Sequence, residues 1–298
     1  MTRNMYLLAI SSAVLFCAFP ADADETLLRW KLHPDQTLNI RIDQTIKTEA
    51  TGIPKPRNLS LTLLMEVSWT VVEVSDQGVA RIKHTLNRFA STRTGDLPTI
   101  QFDSADDRRL SGPARSIADS VRPLLGTEFL VTMNDRGEFI DVAMPEGQIA
   151  QSANAKFAAM LTPKGISEIM RQSAVVLPQQ PLDSGGQWTS DAKLTTSLGV
   201  LQQQNTYAYA GTVLHDGRPQ EKIEVVTDLE LMTPANDSSS KSVLREHKCS
   251  GVLWFDAEAG RFAASEVNQS LTLERPYRQL RIRIRTDTDT KMRIEAGP

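Results

Sequence analysis

The sequence lacks the residue combinations on which most recognisable catalytic and cofactor sites are built. It has two cysteines and four histidines in 298 residues. No C-x-x-C, H-E-x-x-H or G-x-S-x-G motif occurs, and no complete D-x-D-x-D-G calcium loop is present. These absences argue against zinc, dithiol and serine-nucleophile chemistry. We therefore expect a protein that is not an enzyme and that uses no cofactor or metal.

Strong charge and aromatic clustering are also missing. The net charge is -3, and aromatic residues make up 6% of the chain. Such a balance gives no general attraction to nucleic acid or to anionic lipid. After the first twenty residues, no apolar run is long enough to cross a membrane.

The beginning of the chain is typical of an export signal. Arg3 precedes an apolar run over 5–19, and an A-x-A pattern follows at 21–23. We expect a signal peptide over 1–23, cleavage after Ala23, and an extracytoplasmic protein, either periplasmic or secreted. A lipoprotein signal with Cys17 as the lipidated residue is less favoured, because Phe16 stands where a small residue is wanted. Cleavage after Ala23 would leave Cys249 as the only cysteine, and we expect it to be a small buried residue.

One long stretch, Leu59 to Val74, indicates the architecture. Its odd positions from 59 to 71 are apolar and most of its even positions are polar, which is the period of a strand with one buried face. Val71 and Val72 break the alternation, so a β-bulge is expected there. The stretches 243–256 and 280–294 are comparably long, and sheets built from such strands must twist and curl.

The remaining patterns complete a fold prediction. A short strand is expected over 27–32, a hairpin over 129–142, and helices over 113–125 and 148–176. The predicted class is α+β, mainly β: a large, curled, half-barrel-like antiparallel sheet with a helical segment covering one face. After the signal peptide (1–23) we expect one β-rich domain over 24–298, with a β half (24–145), a helical middle (146–177) and a second β half (178–298).

Three segments carry a resemblance to a known family. They are LLGTEFLVTMNDRGEFIDV, LPQQPLDSGGQW and GVLWFDAEAGRFAASEV, which contain G-x-x-F, P-x-x-P…G-x-x-W and G-x-x-x-F-D-x-x-x-G patterns. In these the chain resembles an exported bacterial family of unknown function, common in planctomycetes and Bacteroidetes. The resemblance implies an extracytoplasmic β-rich protein and implies no activity.

The histidines and acidic residues are interpreted as structural. His33 and His215 fall in turns and are expected to be solvated, while His84 and His247 fall on strand faces. The acidic loop with Asp103, Asp106 and Asp107 resembles an incomplete calcium loop, and a solvated loop is the favoured interpretation.

The serines, glycines and arginines that could carry function are also interpreted as structural. Ser104 and Ser184 lie in turn-like contexts without a nucleophile elbow. The segment 183–186 has glycines but no following helix, so it predicts a bend that places Trp188 in the core. A basic stripe could meet acidic polysaccharide or lipid headgroups, but a face balanced by acids on neighbouring strands is favoured; its members are Arg278, Arg281, Arg283 and Arg285.

The leading functional hypothesis is a non-enzymatic extracytoplasmic protein. It would bind an apolar or amphipathic ligand such as a lipid, or a cell-envelope partner, in the concavity of the curled sheet. The ligand-binding residues are not identifiable from the sequence. Two alternatives stay open: an interaction module with a solid core, and a hydrolase whose site is assembled from loops.

Overall fold

The computed structural model describes most of the chain beyond the predicted signal peptide. The described residues are 25–106, 109–143, 167, 170, 174–196, 199–232, 242–277 and 280–297.

Twelve antiparallel strands form a single sheet. Their bounds are β1 Thr37–Thr51, β2 Arg57–Val74, β3 Ala80–Gly95, β4 Ile100–Asp103, β5 Glu128–Met133, β6 Phe139–Ala143, β7 Gln187–Thr196, β8 Gly199–His215, β9 Arg218–Met232, β10 Val243–Asp256, β11 Arg261–Tyr277 and β12 Leu280–Ala296.

The order of the strands joins the two ends of the chain at the centre of the sheet. It runs β6-β5-β3-β2-β1-β12-β11-β10-β9-β8-β7, with β4 beside β5 on the outer edge of β3. The β1–β12 ladder extends from Leu38 opposite Ala296 to Thr51 opposite Arg283. Among the described strands, β6 and β7 have one neighbour each, so the sheet is open. The predicted large antiparallel sheet is confirmed.

Strand β2 confirms the long alternating strand. Val67, Trp69 and Val71 are buried on one face, called here the inner face. Val72 is the predicted bulge: the β2–β3 register steps from Val71 opposite Ile82 to Glu73 opposite Arg81, which leaves Val72 unpaired. A second bulge, at Asn87 of β3, was not predicted.

The opposite, outer face carries charged ladders in place of a core. Arg41 lies 3.4 Å from Glu66 on the neighbouring strand, and Lys291 lies 3.2 Å from Glu266. Exposed pairs of this kind contribute little stability each. The inner face must therefore supply the apolar burial that holds the fold together.

Part of that burial comes from a segment that is not a strand. The prediction of a strand over 27–32 is wrong. The alternation is real, since Leu28, Trp30 and Leu32 are buried. However, the backbone N–H of Trp30 donates to Asp135 in the β5–β6 turn, and that of Lys31 donates to Gly260 in the β10–β11 turn. This extended segment thus runs from turn to turn across the sheet.

A second segment lies beside it. The N–H of Leu177 donates to the carbonyl of Arg136, whose guanidinium returns a 2.8 Å bond to the carbonyl of Leu177. Thr26 and Leu182 exchange a pair of backbone bonds. The two segments, 25–35 and 174–182, are called the crossing segments. Their buried residues Leu28, Trp30 and Leu177 belong to the same core as the inner face of the sheet.

The predicted helix over 113–125 is confirmed as α1, Gly112–Val121, followed by a 3-10 turn at Arg122–Leu124. It buries Ala118 and Val121 against Phe102 in a small second core. Most of the helical region predicted over 148–176 lies outside the described residues; Ser167 and Met170 are helical, whereas 174–176 are not. No helix in the described part of the chain is long and apolar enough to span a membrane.

The packing of the crossing segments predicts very different losses of stability for alanine substitutions at two adjacent leucines. Leu28 is fully buried and Leu27 is 50% exposed. We expect Leu28→Ala to lower the free energy of unfolding by about 2–5 kcal/mol, because it leaves a void between sheet and segment. The matched Leu27→Ala change should cost less than about 0.5 kcal/mol. Urea denaturation measures both, and equal losses would show that the segment does not contribute to the core as described.

Candidate functional site

An apolar cavity lies between the inner face of the sheet and the crossing segments. Its volume is about 190 Å³. Its lining comes from strands β1, β2, β3, β5, β6, β11 and β12 of the sheet, from the β5–β6 turn, from Met170 and from the crossing segments. The lining residues are apolar or aromatic with one histidine: Trp30, Ile40, Ile42, Val67, Trp69, His84, Met133, Gly137, Phe139, Met170, Ala174, Val175, Phe262, Met292 and Ile294.

Aromatic contacts hold the wall of this cavity in place. The Trp30 ring lies 5.8 Å from that of Trp69 and 5.7 Å, edge-on, from that of Phe262, measured between centroids. Trp69 makes a further edge-on contact with Phe139 at 6.1 Å. Such tilted and edge-on contacts are favoured between aromatic rings. The cavity therefore lies within a packed aromatic cluster.

Among the described residues of this site, His84 is the titratable group. The indole Nε1 of Trp69 donates a 2.8 Å hydrogen bond to Nδ1 of His84. Because an indole can only donate, Nδ1 must be unprotonated, and the neutral ring carries its proton on Nε2. Burial lowers the pKa of His84 to about 4, and no acidic partner opposes this shift. The imidazole is thus a neutral, hydrogen-bonding part of the wall.

The bulge at Val72 is what brings His84 to this wall. The register at the end of the hairpin pairs Val74 with Ala80 and Glu73 with Arg81. Continued without interruption, it would place Thr85 opposite Trp69. The bulge shifts the pairing by one residue, so that His84 faces Trp69 and Thr85 faces Ser68.

Trp30 contributes a polar group with no partner. Its Nε1 is buried and has no hydrogen-bond acceptor in the part of the chain that the structure describes. The nitrogen lies against Gly137: a Cβ on that residue would sit 2.7 Å from it and 2.9 Å from the carbonyl oxygen of Val175. Gly137 also has a φ of +83°, which side-chain-bearing residues rarely adopt. Glycine at 137 therefore allows Trp30 and the backbone of Val175 to pack directly against the β5–β6 turn.

The outer face has larger but open and polar depressions. One of about 540 Å³ is lined by charges of both signs, including Lys47, Lys248, Asp287 and Asp289. Lys47 pairs with Asp287 across the β1–β12 ladder. Such a mixed, exposed surface does not favour one charge class of ligand.

The arginine stripe also lies on the outer face and is balanced by acids. Arg283 approaches Glu246 at 3.4 Å, and Arg285 approaches Asp287 at 3.1 Å. The ladder sets Glu49 opposite Arg285. These contacts agree with the favoured interpretation of a charge-balanced face; Arg278 lies outside the described residues.

The acidic loop does not form a cation site in the described residues. Asp103 accepts two hydrogen bonds from the Arg88 guanidinium, at 2.8 and 3.1 Å. Ser104 Oγ accepts the backbone N–H of Phe89. Asp107 lies outside the described residues. Among those that are described, no group of three histidine, cysteine or acidic side chains is placed to hold a metal ion.

The glycine segment forms the predicted bend. The N–H of Gly186 donates to the carbonyl of Asp183, and β7 follows directly. Trp188 stacks on Tyr207 at 5.0 Å and donates to the carbonyl of Val176 at 2.8 Å. Ser184, in the same bend, lies beside Gly211.

The other histidines and the cysteine lie elsewhere. His33 is in an exposed turn, as predicted. His215, predicted to be solvated, is instead half-buried, because its ring stacks on Trp254 at 4.2 Å. Burial lowers the pKa of His247, against a smaller opposing effect of Asp228. Cys249 is half-buried, and burial raises the pKa of its thiol, so it stays protonated at neutral pH.

Sequence reasoning missed one buried acid, Glu221. It accepts hydrogen bonds from the hydroxyl of Tyr209 at 2.5 Å and of Thr212 at 3.0 Å. Glu221 stands two residues before Ile223 and four before Val225, which are both buried. This spacing places its side chain on the same inward face of the strand and was the signal available in the sequence. Its hydrogen bonds compensate its burial.

Comparisons with known proteins give no family. No protein-family model matches the chain, and no curated protein matches it. A structure of lipovitellin, on its lipid–protein interactions, is similar over 90% of this chain with 12% identity and a TM-score of 0.47; this chain spans only 26% of that one. An outer-membrane channel from Pseudomonas putida F1 is similar over 93% of this chain and 99% of its own, with 8% identity and a TM-score of 0.26. These scores are low, and function must be argued from the residues of this chain.

The neutral imidazole predicts a pH dependence of stability. Above pH 6.5, His84 is neutral in both states; as the pH falls from 6.5 to about 4, the unfolded chain takes up a proton that the folded protein does not. Stability should therefore decline across this window, by up to about 3 kcal/mol for this group. His84→Gln, which can still accept from Trp69, should flatten the decline in urea titrations.

The exposed His33→Gln is the matched control and should leave the decline unchanged. The same slope in His84→Gln and in the parent protein would contradict the assignment of His84 as a buried neutral group.

Proposed function

We propose that this protein binds one small apolar or amphipathic molecule in the cavity between the inner face and the crossing segments, outside the cytoplasm and without catalysing a reaction. The observation that carries the proposal is the cavity itself, with its apolar and aromatic lining. The extracytoplasmic location rests on the signal-peptide pattern at 1–23.

Burial of apolar surface supports a bound molecule. The pocket is partly open to solvent, and its walls are almost wholly apolar. An apolar ligand that displaces water from these walls gains about 25 cal/mol for each Å² of apolar surface removed from water. Apolar cavities of about 150 Å³ are large enough for benzene.

The lining favours binding over chemistry. The lining side chains that the structure describes include no carboxylate, hydroxyl, thiol or ammonium group, and the histidine among them accepts a hydrogen bond from Trp69 as a neutral ring. Such a wall offers contact area and a few polar positions, which is typical of sites that hold a molecule. The apolar pocket beside Trp30 favours a bound molecule over the first alternative, a solid core.

The test is a pair of substitutions on the same face of β1. Ile42 lines the cavity, whereas Ile46, four residues further along the same face of β1, does not. We expect Ile42→Phe to fill the space and to weaken toluene binding about tenfold or more. Ile46→Phe should change it less than about twofold. Binding is measured by calorimetry on the purified, delipidated mature chain.

Native mass spectrometry of the protein purified without delipidation gives an independent measurement. We expect an added mass that is lost in Ile42→Phe and retained in Ile46→Phe. Absence of both toluene binding and added mass in the parent protein would refute the proposed function.

A further inference from the structure

One end of the sheet carries a local excess of positive charge. The β1–β2 hairpin has Lys55 and Arg57 at this end, and the β11–β12 hairpin has Arg275 and Arg281. All four are exposed, and none forms an ion pair in the part of the chain that the structure describes. Neither hairpin end, 51–58 or 275–283, contains an aspartate or glutamate, although the whole chain has a net charge of -3.

The two hairpins lie side by side. Their strands β1 and β12 pair as far as Thr51 opposite Arg283. A Cβ on Gly52, the next residue of the loop, would overlap the carbonyl oxygen of Arg281, so the two hairpin ends are in direct contact. The four cations therefore belong to one continuous surface, called here the basic end: Lys55, Arg57, Arg275 and Arg281.

The acids on neighbouring strands are matched by other groups. Glu274 lies 2.7 Å from Arg245, and Glu246 lies 3.4 Å from Arg283. Asp96, at the end of β3, accepts a backbone N–H at 2.7 Å. The positive charge of the basic end thus remains available to an anionic partner.

Exposed apolar side chains accompany these cations. Leu280, beside Arg281, is 43% exposed, and Val243, at the start of β10 on the same end of the sheet, is 40% exposed. Three exposed prolines lie in the two hairpins, Pro54, Pro56 and Pro276. Cations are attracted to anionic headgroups, and apolar side chains gain energy by entering the boundary between headgroups and acyl chains. A lipid surface offers both.

From this combination of unpaired cations and exposed apolar side chains, we propose that the basic end docks onto the surface of an anionic lipid bilayer. It lies far from the cavity: nine residues of β1 separate Ile42 from Thr51, a length of about 30 Å. Half-buried apolar side chains follow the inner face between the two, among them Ile46, Leu61 and Leu63. Docking does not require that the cavity be occupied.

The first test is sedimentation of the mature chain with lipid vesicles. We expect binding to phosphatidylglycerol vesicles to be at least about tenfold tighter than to phosphatidylcholine vesicles, because the four cations favour an anionic surface. Raising the salt from about 0.05 M to about 0.5 M should weaken binding, since exposed charges are screened. Equal binding to the two kinds of vesicle, or binding to neither, would overturn the proposal.

A matched pair of double variants locates the surface. Leu280→Ser with Arg281→Glu removes an apolar contact and reverses a charge, and it should weaken binding to phosphatidylglycerol vesicles about tenfold or more. The control makes the same changes in the β8–β9 hairpin at the opposite end of the sheet, Leu214→Ser with Arg218→Glu. Leu214 is 76% exposed. The control should change binding less than about twofold.

Equal loss of binding in both double variants, or full binding in the first, would contradict docking through the basic end. Thermal unfolding of both variants checks that each still folds. Dextran sulfate separates a bilayer from a soluble polyanion: a chain that binds the polymer through Arg281 but not the vesicles would overturn the proposal. Toluene binding is measured separately, so this proposal and the proposed function can fail independently.

Discussion

The fold depends on covering one apolar face of a very large sheet. Most of the main core lies on the inner face of the sheet, and the charged outer face contributes little. An open sheet cannot bury such a face on itself, so chain from elsewhere must cover it. The crossing segments do this with backbone bonds that go to the β5–β6 and β10–β11 turns. They tie distant parts of the sheet together and cover part of the cavity.

Much of the sheet was predictable because strand alternation is a local property. The long β2, its bulge at Val72, helix α1 and the bend before Trp188 all follow from residue spacing. The error at 27–32 shows the limit of that reasoning. Alternation reports which side chains face inward, but it does not report whether the backbone pairs with a strand or with turn carbonyls. Leu28, Trp30 and Leu32 face the core in either case.

The site was not predictable, for a related reason. A cavity is the space that non-local packing leaves unfilled, and its walls here come from residues between 30 and 294. The pairing of Trp69 with His84 needs the register of β2 and β3, which two bulges shift by one residue and then restore. The bulge at Asn87 has no counterpart in the sequence pattern. Only the apolar face of β2 and the position of His84 on a strand face were visible beforehand.

The β1–β12 ladder has a consequence for how the chain folds. It pairs residues near position 40 with residues near position 290, at the centre of the sheet. Contacts at such separation carry a large loop-closure cost and slow folding. During synthesis β1 and β2 can pair with each other early, but the other edge of β1 stays unpaired until the last strand has been made. Until then the apolar side chains of the first hairpins lie exposed beside an open strand edge, so this protein has its greatest tendency to aggregate while its chain is still incomplete.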